Sequence, residues 1–379
     1  MPLLSRLCGL LAACALLLGA ATAEAEPIRL RDVTGQEIIL PTPARRVVLG
    51  EGRFFHAVNL LERQDPTAVI AGWMGDFVRL DPAGYRQLVA RFPAAAEIPT
   101  IGASTAESFS VERVLALRPD LVVLSADGGH APGQGSDVVE QFRRAGVPVL
   151  FIDFRTAPMA NTAPSLRLLG QALGRAREAE EFLAYRDAHL ARIRDALAAH
   201  PGPRPRVLLD MLASSTRPCC HSAGRGNLGE FVEFAGGDNI GARVIPGALG
   251  PLNLEYVLTQ DPAYYIATGS AGAADNSAPL LGAGVDAAQA ASSLRGTTAR
   301  TGIAGLGAVR QGHAAILWHH FYNSPYNLLA IEAIAHWIHP ELFGDLDPAA
   351  TQAEMNARFL AVPLEGLYWA AAAPAGASR

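Results

Sequence analysis

The feature that most restricts the fold is an internal repeat. Residues 109–125 (FSVERVLALRPDLVVLS) align without a gap on residues 252–268 (LNLEYVLTQDPAYYIAT), so that Glu112 falls on Glu255, Val114 on Val257, Leu115 on Leu258 and Pro119 on Pro262. Each copy reads as a short helix opened by an N-capping Ser110 or Asn253, then a proline turn, then a buried strand. Two further segments pair in the same order: residues 46–49 (RVVL) with 206–209 (RVLL), and residues 146–152 (GVPVLFI) with 312–318 (GHAAILW). Three pairings in one order mark a duplicated unit. Strands alternating with helices imply parallel sheets, so the chain is read as α/β, with two Rossmann-like lobes.

Between the copies, Leu166, Leu169, Leu173, Phe182, Leu183, Leu190, Ile193 and Leu197 recur at spacings near three and four among charged residues. That period predicts one long amphipathic helix over residues 164–197, about 50 Å at 1.5 Å per residue and long enough to bridge two lobes. Pro201, Pro203 and Pro205 stop it. The expected organisation is an N-terminal lobe over residues 26–162, a connecting helix over 163–200, a C-terminal lobe over 201–370 and a disordered tail over 371–379.

The first 25 residues read as a signal peptide. Arg6 precedes an uncharged apolar run that ends in the small-residue pattern Ala23-Glu24-Ala25. The run is shorter than the roughly 20 apolar residues a membrane helix needs. The rival is a lipoprotein signal at Cys14, less favoured because apolar residues 15–18 would then open the mature chain. Cleavage removes one charge of each sign and leaves the net charge at −5, with no basic excess for nucleic acid. The mature chain exceeds one ordinary hydrophobic core, consistent with two domains. Only Cys219 and Cys220 remain after cleavage, in a compartment that oxidises thiols.

In parallel α/β sheets, ligands sit beyond the carboxyl ends of the strands. Two facing lobes place the site in the cleft between them, lined by residues 51–56, 73–77, 125–130, 153–155, 211–227 and 319–323.

The chain resembles the periplasmic binding proteins for ferric siderophores, haem and cobalamin. The motifs that carry the likeness are residues 33–37 (VTGQE) with Pro41, 45–48 (RRVV), 110–112 (SVE), 118–123 (RPDLVV), 146–149 (GVPV), 235–240 (AGGDNI), 254–255 (LE), 308–312 (AVRQG) and 339–343 (HPELF). The resemblance implies a rigid bilobal receptor without enzymatic activity or intrinsic cofactor. It also implies a partnership with an ABC permease dimer and its ATPase, with Glu112 and Glu255 as the acidic docking residues. The alternative for each glutamate is a helix-dipole contact in a first turn.

Three groups are candidates for the ligand. The first is the loop of residues 217–227 (RPCCHSAGRGN), contributing Cys219, Cys220, His221, Arg225 and Asn227. The cysteine pair reads as a vicinal disulfide shaping the pocket wall, with a soft-metal site or two unrelated thiols as alternatives; zinc would need two further ligands that a lone His221 does not supply. The second is residues 318–325 (WHHFYNSP). There the phenol of Tyr322 is a hard donor suited to Fe(III), and His319 or His320 offers imidazole; Tyr322 and His320 are the expected iron ligands, against a reading in which they only line the pocket. The third comprises Arg53, Arg155 and Arg225 as anion-reading forks, with Asp153 beside them and Phe54, Trp73, Phe77 and Phe154 to stack on a flat chelate. His56 reads as a packed histidine. The expected cargo is an Fe(III) complex carried by a periplasmic monomer, with haem, cobalamin or molybdate as the other ligands. A thiol-redox enzyme is the reading from a different class, weakened by the absence of Cys-x-x-Cys, Gly-x-Ser-x-Gly and His-Glu-x-x-His.

Overall fold

The computed structural model describes residues 26–372 except 130, 215 and 273–277. The signal-peptide reading, Cys14 and residues 373–379 lie outside them. The elements that position the site are β1 (Val47–Leu49), α1 (Phe55–Leu61), β2 (Ile70–Trp73), α2 (Val111–Ala116), β3 (Leu121–Ser125), β4 (Val149–Ile152), α3 (Pro158–Ala172) and α4 (Ala176–Ala199). In the second half they are β5 (Arg206–Asp210), α5 (Leu228–Phe234), β6 (Asp238–Asn239), α6 (Leu254–Gln260), β7 (Tyr264–Gly269), β8 (Ala314–Trp318), α7 (Asn327–Ile338) and β9 (Trp369–Ala371).

The two sheets have the same plan. The first runs β2-β1-β3-β4, all parallel, and the second runs β6-β5-β7-β8 with an antiparallel β9 added beside β8. The three pairings in the sequence fall on β1 and β5, on α2-β3 and α6-β7, and on β4 and β8. Each pair occupies matching places in the two sheets. Residues of β3, β4 and β8 are buried along their whole length, as expected of β-branched and leucine-rich strands covered on both faces. The caps also form: Ser110 Oγ accepts from Arg113 N, and Asn253 Oδ1 accepts from Glu255 N.

The helix expected over residues 164–197 is broken in two, and its second part does the bridging. The chain is helical from Pro158 to Ala172 and again from Ala176 to Ala199, with the break at Gly174, whose φ of +67° is left-handed. Glycine adopts that backbone at little steric cost, and it turns the chain between α3 and α4. The apolar spacing continues across the break because both helices pack on the same core, so periodicity alone does not reveal it. The 24 residues of α4 span about 36 Å. This helix packs on α1 of the first lobe and on α7 of the second. The C-terminal lobe also extends beyond residue 370. Ala371 pairs with Ala315 in the sheet and Ala372 N donates to Ala314 O, so the expected tail starts later than residue 371. Among the described residues, no helix is long and apolar enough to cross a membrane.

Candidate ligand-binding site

The ends of the first-lobe strands converge on a buried ionic network. Glu51 lies just past β1, Asp76 just past β2, Asp127 just past β3 and Arg155 just past β4. Arg155 Nη2 donates to Glu51 Oε1 at 2.6 Å and to Asp127 Oδ1 at 2.8 Å, while its Nε donates to Asp127 Oδ2 at 2.9 Å. Arg53, 1% exposed, donates from Nε to Asp76 Oδ2 at 2.9 Å and from Nη2 to Glu51 Oε2 at 3.4 Å. Burial works against the Arg53 charge, but Tyr322, Asp76 and Glu51 outweigh it and hold the guanidinium above its ordinary range. Burial likewise opposes the Asp127 carboxylate, and the hydrogen bond and charge of Arg155 bring its pKa below the ordinary value. Gly129, at φ +49°, rests so close over Arg155 and Glu51 that a side chain there would collide with both.

The second lobe reaches into this network through the segment after β8. Asn323 Nδ2 donates to Glu51 Oε2 at 2.7 Å, and Arg53 Nη1 donates to Tyr322 Oη at 3.0 Å and to His320 Nδ1 at 3.1 Å. A guanidinium only donates, so His320 Nδ1 accepts and its Nε2–H donates to Leu80 O at 3.1 Å. Both ring nitrogens of His320 are therefore spent on joining the lobes, which corrects its reading as an iron ligand. Its neighbour is differently placed. His319 pairs through Nδ1 with Thr268 Oγ1 at 2.9 Å, and its Nε2 has no hydrogen bond among the described residues. Burial, then Arg53, Arg217 and His221, push its pKa down to about 3, so the ring is neutral and able to ligate. Its ring centroid lies 4.8 Å from that of Tyr322.

Several expected ligand contacts are packing instead. Phe54, Trp73 and Phe77 are each 1% exposed. Phe55 stacks on Phe77 at 5.2 Å, Trp73 meets Phe77 edge-on at 6.1 Å and Phe54 meets Phe154 at 6.2 Å. These rings satisfy one another in the first-lobe core, so none of them offers a face to a ligand. His56 belongs to the same cluster, 5.7 Å from Trp318 and 5.2 Å from Tyr326 of the second lobe. Asp153 accepts from the backbone of Arg155, Thr156 and Ala157 and from Asn161, holding the turn into α3. Its oxygens are consumed by that turn.

The cysteine loop divides into two parts. Cys219 and Cys220 are joined by a disulfide across a cis peptide bond. With Arg217, His221, Asp210 and Arg300 they line a cavity of about 350 Å³ beyond the end of β5. Arg217 and His221 on this wall help to lower the pKa of His319. Arg225 does not join it: its Nε donates to Ala242 O and it borders a separate groove with Glu230, Glu233 and Asp238. Asn227, at φ +54°, caps α5 and donates to Arg155 O at 3.4 Å, a structural seam between lobes. Glu112 and Glu255 are exposed in the first turns of α2 and α6, at matching places on the two lobes.

Glu51 and Asn323 meet across the seam, and Asp76 and Asp127 hold its two arginines from within the first lobe; all four fall in the expected lining, yet the sequence assigns none of them a role. Their signal is positional, since Glu51, Asp76 and Asp127 each follow the end of one of three adjacent strands by two or three residues.

Comparison with known proteins agrees with this architecture. A family model described as periplasmic binding protein matches residues 71–316. The TroA-like periplasmic binding protein FepB of Veillonella parvula is 26% identical, with 92% of this chain and 100% of that chain covered and a TM-score of 0.80. The molybdate-bound MolA of Haemophilus influenzae is 18% identical over 87% of this chain and 97% of that one, at a TM-score of 0.66. A periplasmic haem-binding protein of Pseudomonas aeruginosa is 19% identical over 78% and 93%, at 0.54. No curated protein matches the chain. With two lobes of one plan, a polar seam between them and a family match over most of its length, the chain belongs to the periplasmic binding proteins, the family that works with ABC-transporter permeases.

Proposed function

We propose that this protein, exported by its signal peptide, captures a ferric chelate between its lobes as a monomer and delivers it to an ABC permease dimer. It performs no chemistry on the cargo and carries no cofactor of its own. The reading rests on one arrangement: Tyr322 and the neutral imidazole of His319 lie side by side at the lobe interface, where the phenol oxygen accepts from Arg53 and the imidazole Nε2 has no hydrogen bond among the described residues. A phenol oxygen and an imidazole nitrogen suit Fe(III), and a chelate that leaves positions open on iron accepts them. A bare oxyanion such as molybdate would instead need uncommitted N–H donors, and Arg53 and Arg155 are engaged by Glu51, Asp76 and Asp127. Glu112 and Glu255 would then dock the loaded protein on the permease.

The test is a visible-absorption titration of the mature protein with ferric siderophores, haem, cobalamin and molybdate. A ferric chelate should bind at micromolar concentration or below, with a phenolate-to-iron band that disappears in Tyr322→Phe. In His319→Ala the affinity should fall at least about tenfold, or 1.4 kcal/mol. Binding of only haem, cobalamin or molybdate, or unaltered iron binding in both variants, would sink the proposal.

A further inference from the structure

The wall of the cysteine cavity holds a second set of donors that iron capture does not use. A carboxylate oxygen of Asp210 and the sulfurs of Cys219 and Cys220 all lie within 4.8 Å of one another. Asp210 is 2% exposed. Its Oδ2 accepts from Tyr265 Oη at 2.8 Å and from Arg300 Nη1 at 2.7 Å, while Oδ1 accepts no hydrogen bond among the described residues. A buried carboxylate fixed through one oxygen, with the other unengaged, is the arrangement of an oriented metal ligand with its supporting shell already built. Tyr265 is itself fully buried, so the support is rigid.

As a disulfide, the two sulfurs are poor ligands. We propose that reduction of the Cys219–Cys220 bond opens a site for a thiophilic d10 dication such as zinc or cadmium, held by two thiolates and Asp210. The reductant is a dithiol of the compartment. It gives two electrons and two protons as the S–S bond between Cys219 and Cys220 breaks and its own sulfurs join. The cation then displaces both thiol protons to solvent. Arg217 and Arg300 line the same cavity and favour the thiolate forms. Three protein ligands with water in the fourth position match an exchangeable tetrahedral site. The cavity of about 350 Å³ leaves room for that water and for the cation's entry. Lying on the second lobe alone, the site does not depend on the Tyr322 and His319 donors. Its occupancy would follow the thiol state of the compartment.

The experiment measures cadmium binding by equilibrium dialysis to the whole purified protein. One sample is oxidised and the other is reduced by a phosphine, which does not compete for the metal as a dithiol does. The reduced protein should take one cadmium per chain and show thiolate-to-cadmium absorption in the ultraviolet, and the oxidised protein should take none. The double variant Cys219→Ser, Cys220→Ser should bind in neither state. Tyr265→Phe, which keeps the ring packed but leaves Asp210 held by Arg300 alone, should weaken binding about tenfold, and Asp210→Asn at least as much, with the absorption retained and circular dichroism unchanged. Binding by the oxidised protein, no binding by the reduced one, or wild-type affinity in both Asp210→Asn and Tyr265→Phe would overturn the proposal.

Discussion

Lowering the pH should destabilise this protein through histidines that the fold keeps neutral. His56 sits among Phe77, Trp318 and Tyr326, and its Nε2 finds no hydrogen bond among the described residues. Burial first, then the charge of Arg53, push its pKa down to about 3. His319 is pushed down to about 3 as well, and burial followed by Arg53 and His319 puts His320 well below its ordinary value. In the unfolded chain each titrates near about 6.5. Between there and about pH 3 the unfolded state binds protons that the folded state refuses. Stability is therefore full above the unfolded value and falls as the pH drops. Each pH unit is worth about 1.4 kcal/mol per histidine, so at about pH 5 His56 and His319 each remove about 2 kcal/mol, and His320 acts in the same direction. Urea unfolding at about pH 7.5 and about pH 5 reads this loss net of Asp81, whose carboxyl, pushed up to about 6 by burial, gains a proton in the folded state and offsets part of it. His56→Phe keeps an aromatic ring in the cluster and should recover about 2 kcal/mol of it. The reasoning fails if His56→Phe loses stability as steeply as wild type, or if magnetic-resonance titration finds an imidazolium at His56 at about pH 5.

Three other outcomes are expected, the first two at the seam between the lobes. Arg155→Met removes the guanidinium that joins Glu51 to Asp127, leaving Glu51 with Arg53 and Asn323 and Asp127 with Ser125; it should lower unfolding free energy by about 3–5 kcal/mol in urea, with part recovered when Glu51→Gln is added. Asn59 donates to Tyr326 Oη and Val362 O, both at 2.9 Å, and accepts from Val362 N at 2.8 Å; Asn59→Ala should lose about 1–3 kcal/mol and speed proteolysis near residue 362. Glu112→Lys with Glu255→Lys puts a cation in the first turn of two helices and should cost up to about 1 kcal/mol of stability at each, while leaving ligand affinity unchanged and abolishing uptake by the reconstituted transporter.

The duplicated α/β plan is readable in the chain because a parallel sheet covered on both faces demands uninterrupted apolar strands, and β1 with β5, β3 with β7 and β4 with β8 share that demand in one order. The helix break at Gly174 is not readable, since α3 and α4 present their leucines to one core and preserve the spacing. At the site, the strand-end rule selects loops that meet between the lobes. Within them it cannot separate a side chain aimed at solvent from one turned inward. Arg53 and Arg155 look like anion receptors until Glu51, Asp76 and Asp127 are seen to occupy their donors. His319 and His320 are adjacent and chemically equal in the sequence. Only the distance across to Arg53 and Leu80 assigns one to the seam and leaves the other with an unengaged nitrogen.

The seam also bears on how such a receptor lets go. An apolar joint of the same extent would resist parting in proportion to the hydrocarbon surface it exposes to water. Glu51, Arg53 and Arg155 are buried where the lobes meet, and any of them that parting exposes regains water. Water thus works on the side of opening, as it does on a glue that dissolves. The joint holds its alignment while dry and yields at modest expense once solvent enters, so unloading needs a wedge between the lobes more than a strong pull on either one.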